Sequence, residues 1–544
     1  MNPSTGDAGR AGAFDYVIVG AGTAGSVLAD RLSDSGRNTI CVIEAGPPDT
    51  NPFLHIPAGF TKTLYNPAVT WQFKFAASEG TAGRQIALPQ GRVFGGSSSI
   101  NGLVYNRGQA ADFDAWEKLG NRGWGYEDVL PYFRRSERRI GGDDRYRGRE
   151  GGVDISDNDW IDPLAETFIA GVVASGIPRN VDYNGAAQEG VGYFQRMIHK
   201  GKRVSAADAF LRPAMARKNV EVRPNAQVTT ILLDGKRATG VRYTTGRDGG
   251  HHDVLARREV IVSAGTLNTA KLMQLSGIGP AKLLQGLGIP VRHELPGVGE
   301  NFRDHYFVRL VSRIKNIASL NQRARGPRLV VELAKWALRR PSILALSPSL
   351  VHVFWKSSAE LSGPDLQFIF TPGSYRPGSV YMLDNFPAIT CGFTQERPES
   401  VGYVRIKSRD PAAALEAQPN YLQASVDQQV VIRAMKMARA FMKTPHLTPY
   451  YDREELPGAD VTSDEGLLDY ARKTGNTGYH VIGTCSMGLA TDRMAVVDPE
   501  LRVHGLTCLR VVDASVMPLM VSANTFAATA MVAEKAADMI KKAA

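Results

Sequence analysis

The apolar run Phe14 to Gly20 (FDYVIVG) predicts a short buried strand. From Gly22 to Asp34 the apolar positions change period, with Val27, Leu28 and Leu32 at helical spacing. A second strand follows at Asn38 to Ala45 (NTICVIEA). Strand, turn, helix and strand in that order form a βαβ unit, the start of a parallel sheet. Residues 51–90 are loop-rich and broken by prolines, and a Gly/Ser cluster runs from Gly91 to Gly102. Alternation at Val220 to Val222, Val228 to Leu233 and Gly240 to Tyr243 predicts a small β-meander, which Glu259 to Ser263 returns to the parallel sheet. Between about Leu310 and Lys473 the style changes. Leu366 to Phe370 and Tyr403 to Ile406 alternate as strands of an antiparallel sheet with one covered face would, and an amphipathic helix spans Val426 to Lys443. The first style then resumes, with a strand at Leu509 to Val512 and a helix at Ala527 to Lys541.

A chain of 544 residues is too long for one compact core. Because the two styles interleave, the prediction is an α/β protein of two domains, each assembled from separated segments. The net charge is +10; the basic residues are spread along the chain, with two local concentrations, Arg134 to Arg149 and Arg323 to Arg340. No stacking or groove-reading motif accompanies them, so no nucleic-acid partner is expected. In the second stretch Leu329, Val330, Leu333, Trp336 and Ala337 fall at helical spacing. Such a helix is expected to pack on its own protein, with a peripheral membrane contact as the alternative. Cys41, Cys391, Cys485 and Cys508 lack metal-ligand spacing, so free thiols and no metal site are expected. Met1 to Ala13 has no signal-peptide core, and the longest apolar run, Ile343 to Trp355, contains Pro348 and is too short to span a bilayer. A cytoplasmic location is the expectation.

Gly20-Ala21-Gly22-Thr23-Ala24-Gly25 follows the first strand and opens the first helix. This is the G-x-G-x-x-G arrangement: a tight turn, close backbone approach to a pyrophosphate, then close packing of helix on sheet. Glu44, nineteen residues after Gly25, ends the next strand, where a carboxylate can bind both ribose hydroxyls. NAD and FAD share this loop, so it does not choose between them.

The run from Pro89 through Gly91-Arg92-Val93-Phe94-Gly95-Gly96-Ser97 to Asn101-Gly102 resembles the first signature of the glucose–methanol–choline (GMC) oxidoreductase family. Ser263-Ala264-Gly265-Thr266 to Gly279 is similar to its second signature, with Ala270 where proline or serine is usual. Tyr479-His480-Val481 to Gly488 resembles its active-site segment. Val511-Val512-Asp513-Ala514-Ser515, Asn524-Thr525 and Ala533-Glu534-Lys535 resemble its C-terminal flavin segment. The resemblance implies a Rossmann-like FAD-binding domain (14–158, 211–309 and 474–544) and an interleaved substrate domain with an antiparallel sheet and helices (159–210 and 310–473). It implies cofactor contacts from Gly20, Gly22, Thr23, Ala24, Gly25, Glu44, Arg92, Gly95, Gly96, Ser97, Asn101, Gly102, Val104, Val228, Ala264, Gly265, Asp513, Ala514, Asn524 and Thr525. Ile100 stands where some members carry a histidine bonded to the flavin, so the FAD is expected to be non-covalent.

The same resemblance puts His480 opposite flavin N5 as the base of alcohol oxidation: it takes the hydroxyl proton while hydride leaves for N5, giving an aldehyde or ketone. His305 matches a family segment but is not its base, and His251-His252 reads as a solvated polar turn. The family's second catalytic polar residue aligns with Phe526, which neither donates nor accepts a strong hydrogen bond. Three readings follow. His480 acts alone and Phe526 shapes an apolar substrate pocket; or a side chain of the inserted domain replaces the missing group; or the site runs a lyase or other non-redox reaction. The implied partners are a small alcohol and an electron acceptor: a quinone, another acceptor or oxygen.

Overall fold

A computed structural model describes residues 10–246, 250–376 and 382–543, so most of the polar lead read at Met1 to Ala13 lies outside the described residues. The first strand, Arg10–Val19, lies between Ile40–Ile43 and His251–Val262, parallel to both. Val220–Arg223 adds beyond Ile40–Ile43, and Leu509–Val511 beyond Val262, again in parallel. All four residues of Ile40–Ile43 are buried, as befits a strand with parallel neighbours and both faces covered. Helices Thr23–Ser33 and Phe526–Ala543 pack together on this sheet and are joined by a buried carboxylate. Glu534 accepts from Arg31 Nε and Nη2, both at 2.8 Å, and from Arg135 Nε at 2.6 Å.

Two expectations for this sheet need correction. Val220–Arg223 is the outer parallel strand and not part of the meander, which consists of Ala226–Asp234, Arg237–Thr245 and the first half of His251–Val262. His251 and His252 open that last strand instead of forming a turn. Polar residues tolerate the solvent face of a hairpin, and His252 stacks on Tyr243 with ring centroids 5.3 Å apart.

The second sheet is antiparallel, in the order Tyr451–Leu456, Tyr306–Ile314, Ala388–Gln395, Leu366–Thr371, Val351–Trp355, Gly190–Tyr193; Asn476–Thr477 pairs with the start of Tyr306–Ile314. Leu366–Thr371 does not alternate between core and solvent, because helices cover one face and a deep cavity lies on the other. Phe368 and Phe370 point to the helix layer, where Phe370 stacks on Phe168 at 4.2 Å and Phe368 meets Phe441 at 5.1 Å. Gln367, Ile369 and Thr371 line the cavity. Tyr403–Arg405 pairs only with Glu416–Gln418, in a separate ribbon. The Val404 carbonyl accepts from Gln274 on helix Thr266–Leu275, which fixes the ribbon to the first sheet's helices.

Among the described residues no helix is long and apolar enough to cross a membrane. Helix Gly326–Ala337 departs from expectation in part: of its expected stripe Leu329 and Trp336 are half-buried, whereas Val330, Leu333 and Ala337 are exposed.

Candidate active site

Both sheets send residues to one cavity, and its adenine end is built from glycine. Gly20 has φ +100°, and a Cβ there would stand 2.5 Å from the Ser263 carbonyl oxygen. A Cβ on Gly25 would come within 1.9 Å of Gly20 O, so the third glycine of the loop serves the contact of helix with strand. The loop abuts the Gly/Ser cluster: a Cβ on Gly96 would lie 2.7 Å from Gly22 Cα, and Gly95 N–H donates to Ala21 O at 2.8 Å. Helix Thr23–Ser33 begins at Gly22 with no side-chain cap, leaving its first N–H groups to whatever occupies the cavity. Glu44 is buried on the wall, its two oxygens accepting from Ala21 N–H and Gly46 N–H at 2.8 Å each. Each oxygen keeps a further lone pair for a ligand hydroxyl. Burial raises the Glu44 carboxyl above the ordinary range, and the two amides oppose that.

Most of the residues expected to touch a cofactor do lie on this wall: Gly20, Gly22, Thr23, Ala24, Glu44, Gly96, Ser97, Asn101, Gly102, Val104, Val228, Ala264, Gly265, Asp513, Ala514, Asn524 and Thr525. Gly25, Arg92 and Gly95 stand behind it. Arg92 lies over the Trp71 ring at 4.9 Å, and Trp71 itself faces the cavity. The Asp513 carboxylate is spent on the protein, accepting from Gly265 N–H at 2.9 Å and Thr269 Oγ1 at 2.6 Å, which sets the start of helix Thr266–Leu275. An uncapped helix end, a cradle that side chains would fill and a buried carboxylate with lone pairs to spare fit an adenine dinucleotide. The residues present fit FAD.

At the opposite end of the cavity His480 lines the wall, with His305 buried behind it. Asp304 holds the turn before His480: it accepts from His480 N–H at 2.7 Å and from the Thr477 and Tyr421 hydroxyls. Burial pushes its carboxyl up to about 6. Tyr479 is thereby kept at φ +65°, a conformation a bulky residue rarely adopts, with its N–H donating to Thr477 Oγ1 at 2.8 Å. His305 is fully buried, its Nε2 3.0 Å from the Glu396 carbonyl and its Nδ1 2.9 Å from His480 Nδ1. A carbonyl only accepts, so His305 Nε2 carries the proton and its Nδ1 is the acceptor. His480 Nδ1 must then be the donor, and His480 Nε2 is the accepting nitrogen. Burial pushes His305 down to about 4. Burial, and next the neighbouring imidazole, holds His480 well below the ordinary imidazole range.

His480 Nε2 meets Asn524 Nδ2 at 2.9 Å. Nδ2 is a donor, so Nε2 accepts from it, and a polar side chain thus stands beside His480 two residues before Phe526. Asn524 Oδ1 is buried without a partner. Phe526 is a buried wall residue, edge-on to Tyr105 with centroids 6.5 Å apart. Sequence reasoning missed His305 as the neighbour of His480, although its segment matches the family's. It also missed Asn524 beside the imidazole, because an alignment of motifs counts residues and not side-chain directions.

Residues 14–307 and 398–533 match the N- and C-terminal family models of GMC oxidoreductases. An oxygen-dependent choline dehydrogenase of Photobacterium profundum is 39% identical over 529 residues, covering 97% of this chain and 93% of that protein. An alcohol dehydrogenase (acceptor) of Pseudomonas putida is 37% identical over 97% of this chain and 95% of its own. A solved FAD-dependent oxidoreductase from Chaetomium thermophilum superposes with a TM-score of 0.88 at 27% identity, covering 97% of this chain and 99% of that one. None of these is a lyase, and the lyase alternative gains nothing from them. Family models over most of the length and relatives matched nearly end to end show that the chain belongs to the GMC oxidoreductase family, as an FAD-dependent oxidoreductase acting on CH–OH donors.

Proposed function

We propose that His480 is the base of this alcohol oxidation and that its substrate is a neutral, largely apolar alcohol. The observation that carries the first part is that His480 Nε2, on the cavity wall, is the accepting nitrogen of the imidazole, where a substrate hydroxyl would compete with Asn524 Nδ2 as the donor. A neutral imidazole there accepts the hydroxyl proton as the C–H bond breaks, and Asn524 holds the imidazole plane. FAD, when bound, supplies the two-electron oxidant that accepts the α-hydrogen as hydride.

The substrate class follows from the wall. Phe60, Leu64, Phe194, Phe307, Ile369 and Phe526 give it an apolar surface. The carboxylates on the wall are Glu44 and Asp513, both held by backbone amides. The cations Lys271 and Arg309 line the wall as well, which suits a quaternary ammonium poorly. The FAD is held without a covalent bond, since Ile100 on the wall has no nucleophilic atom. The domain segments expected from sequence, a quinone, other small acceptor or oxygen as oxidant, and a cytoplasmic location belong to the same reading. Buried free Cys41, Cys391 and Cys485 support that location.

The test is anaerobic bleaching of the yellow protein by a panel of alcohols. Aromatic and medium-chain primary alcohols should bleach it faster than choline, and His480→Ala should abolish bleaching with its flavin content intact. Bleaching by choline alone would overturn the substrate assignment; unchanged bleaching in His480→Ala would overturn the base. Acid precipitation should release the flavin into the supernatant.

A further inference from the structure

Helix Gly326–Ala337 is built inside out. Its side toward the protein carries its polar contacts, with Leu329 and Trp336 half-buried beside them. Glu332 is 4% exposed, and its carboxylate accepts from Lys335 Nζ at 2.7 Å and from Ile343 N–H at 3.1 Å. The Glu332 carbonyl accepts from Ser342 Oγ at 2.8 Å, and Trp336 Nε1 donates to Gly201 O at 3.0 Å. The other side is aliphatic and faces out: Val330 is 65% exposed, Val331 54%, Leu333 46% and Leu338, just past the helix end, 69%. Ala334 and Ala337, exposed too, fill the surface between them. A surface helix of a soluble protein ordinarily turns its apolar stripe to the core. Here the carboxylate is inside and the aliphatic stripe is outside, so the stripe calls for a partner.

The charges around the stripe say which partner. Arg325, Arg328, Arg339 and Arg340 are exposed at its flanks and ends, and among the described residues none of them pairs with a carboxylate. The one acid of the helix, Glu332, is already neutralised by Lys335. An apolar stripe bordered by long cationic side chains matches a bilayer surface, with the aliphatics among the acyl chains and the guanidinium groups at anionic headgroups. A second copy of the chain fits less well, because a symmetric contact through the same face would oppose the two cationic rims. We propose that this helix docks the enzyme on the surface of an anionic phospholipid bilayer.

Its place in the fold gives the contact a purpose. Past the helix the chain turns at Ile343–Ala345, Ser347 Oγ donates to the Gly102 carbonyl at 2.7 Å, and Pro348 and Ser349 enter the wall of the active cavity. Docking therefore brings one wall of the site near the lipid, the phase in which an apolar alcohol concentrates.

The experiment is co-sedimentation of the full-length, FAD-loaded protein with vesicles of phosphatidylglycerol and phosphatidylcholine, or of phosphatidylcholine alone. The wild type should sediment with the anionic vesicles, less so at high salt, and remain in the supernatant with phosphatidylcholine alone. Val330→Asp with Leu338→Asp should weaken binding at least about tenfold. Arg328→Glu, Arg339→Glu and Arg340→Glu together should weaken it roughly a hundredfold. All the altered side chains are exposed, so flavin absorbance and melting temperature should stay at wild-type values. Wild-type protein left in the supernatant with anionic vesicles would overturn the proposal, as would variants that sediment as the wild type does. So would a wild-type dimer on gel filtration that the aspartate variant converts to monomer, which would assign the face to a second copy. None of these readouts depends on turnover, so the result stands apart from the assignment of His480.

Discussion

His305 and His480 meet Nδ1 to Nδ1 at 2.9 Å, and that contact decides which nitrogen of His480 faces the cavity. His305 is itself fixed by the Glu396 carbonyl at 3.0 Å. Removing it frees His480 to rotate or to change tautomer. His305→Ala should therefore lower kcat on the order of tenfold or more while moving KM little. A pH profile separates positioning from general damage. The base must be neutral, so kcat/KM falls as pH drops through the His480 pKa, and that acid limb should lie below the usual ~6.5 of an imidazole. Loss of His305 removes one of the causes that depress His480, so in the variant the limb should move to higher pH. An unshifted limb would refute the coupling, and His305→Gln, which keeps an acceptor in reach, should recover part of the rate.

The resemblance gives a second polar role to the position of Phe526, and the amide that stands beside His480 is that of Asn524. Asn524→Ala leaves His480 Nε2 without its partner at 2.9 Å and should cost roughly a hundredfold in kcat. Phe526→Asn puts an amide at the position that the resemblance gives to a second polar residue. On the Asn524→Ala background it should restore part of that loss, measured as the flavin reduction rate at saturating alcohol. If Phe526→Asn restores nothing, the two positions are not interchangeable at the substrate oxygen.

The parts of the fold legible in the sequence were those written in local pattern. The βαβ unit announces itself by period, and the glycines of Gly20 to Gly25 and Gly91 to Gly102 announce close backbone contacts, such as Gly96 against Gly22 Cα. Burial between helices and a cavity hid what remained. Leu366–Thr371 alternates between two enclosed faces, so period two there does not mean core and solvent. Val220–Arg223 shows only that it is a strand, since its neighbour Ile40–Ile43 lies far away in sequence. At the site, His480 could be singled out from its segment. Its contacts to His305 and Asn524 cross 175 and 44 residues, and no spacing records them.

The same glycine contact supports a test of cofactor binding. Gly96 has φ +56°, and a methyl group there would sit 2.7 Å from Gly22 Cα, backbone that cannot move aside without opening the dinucleotide loop. Gly96→Ala should thus purify with a much lower ratio of flavin to protein absorbance and regain little on incubation with FAD. Gly36→Ala is the matched control: it also has positive φ, but a Cβ there meets nothing within 4 Å. It should keep a full complement of flavin and lose only stability, about 1 kcal/mol. Equal flavin content in the two variants would remove the cradle from the account of binding.

His352 gives the fold a predictable weakness in acid. It is fully buried among Tyr183, Phe194 and Phe354, no side chain among the described residues bonds its ring nitrogens, and burial, opposed by the Gly190 backbone, pushes it down to about 3. The unfolded chain takes up this proton near pH 6.5 and the folded chain near pH 3, so between those values the unfolded state binds more. The stability contributed by the depressed pKa is fully present above about pH 6.5 and drains away as pH falls, at up to about 1.4 kcal/mol per pH unit. His305, pushed down to about 4, acts in the same sense, whereas Asp304, pushed up to about 6, opposes it. The wild-type profile therefore mixes signs, and His352→Leu isolates one of them. An aliphatic side chain there takes up no proton, so the variant should be near wild type at pH 7.5. Its advantage in urea denaturation should then widen steadily from pH 6.5 down to pH 4.5. An advantage independent of pH would mean that His352 is already protonated in the fold, or that it finds a partner there.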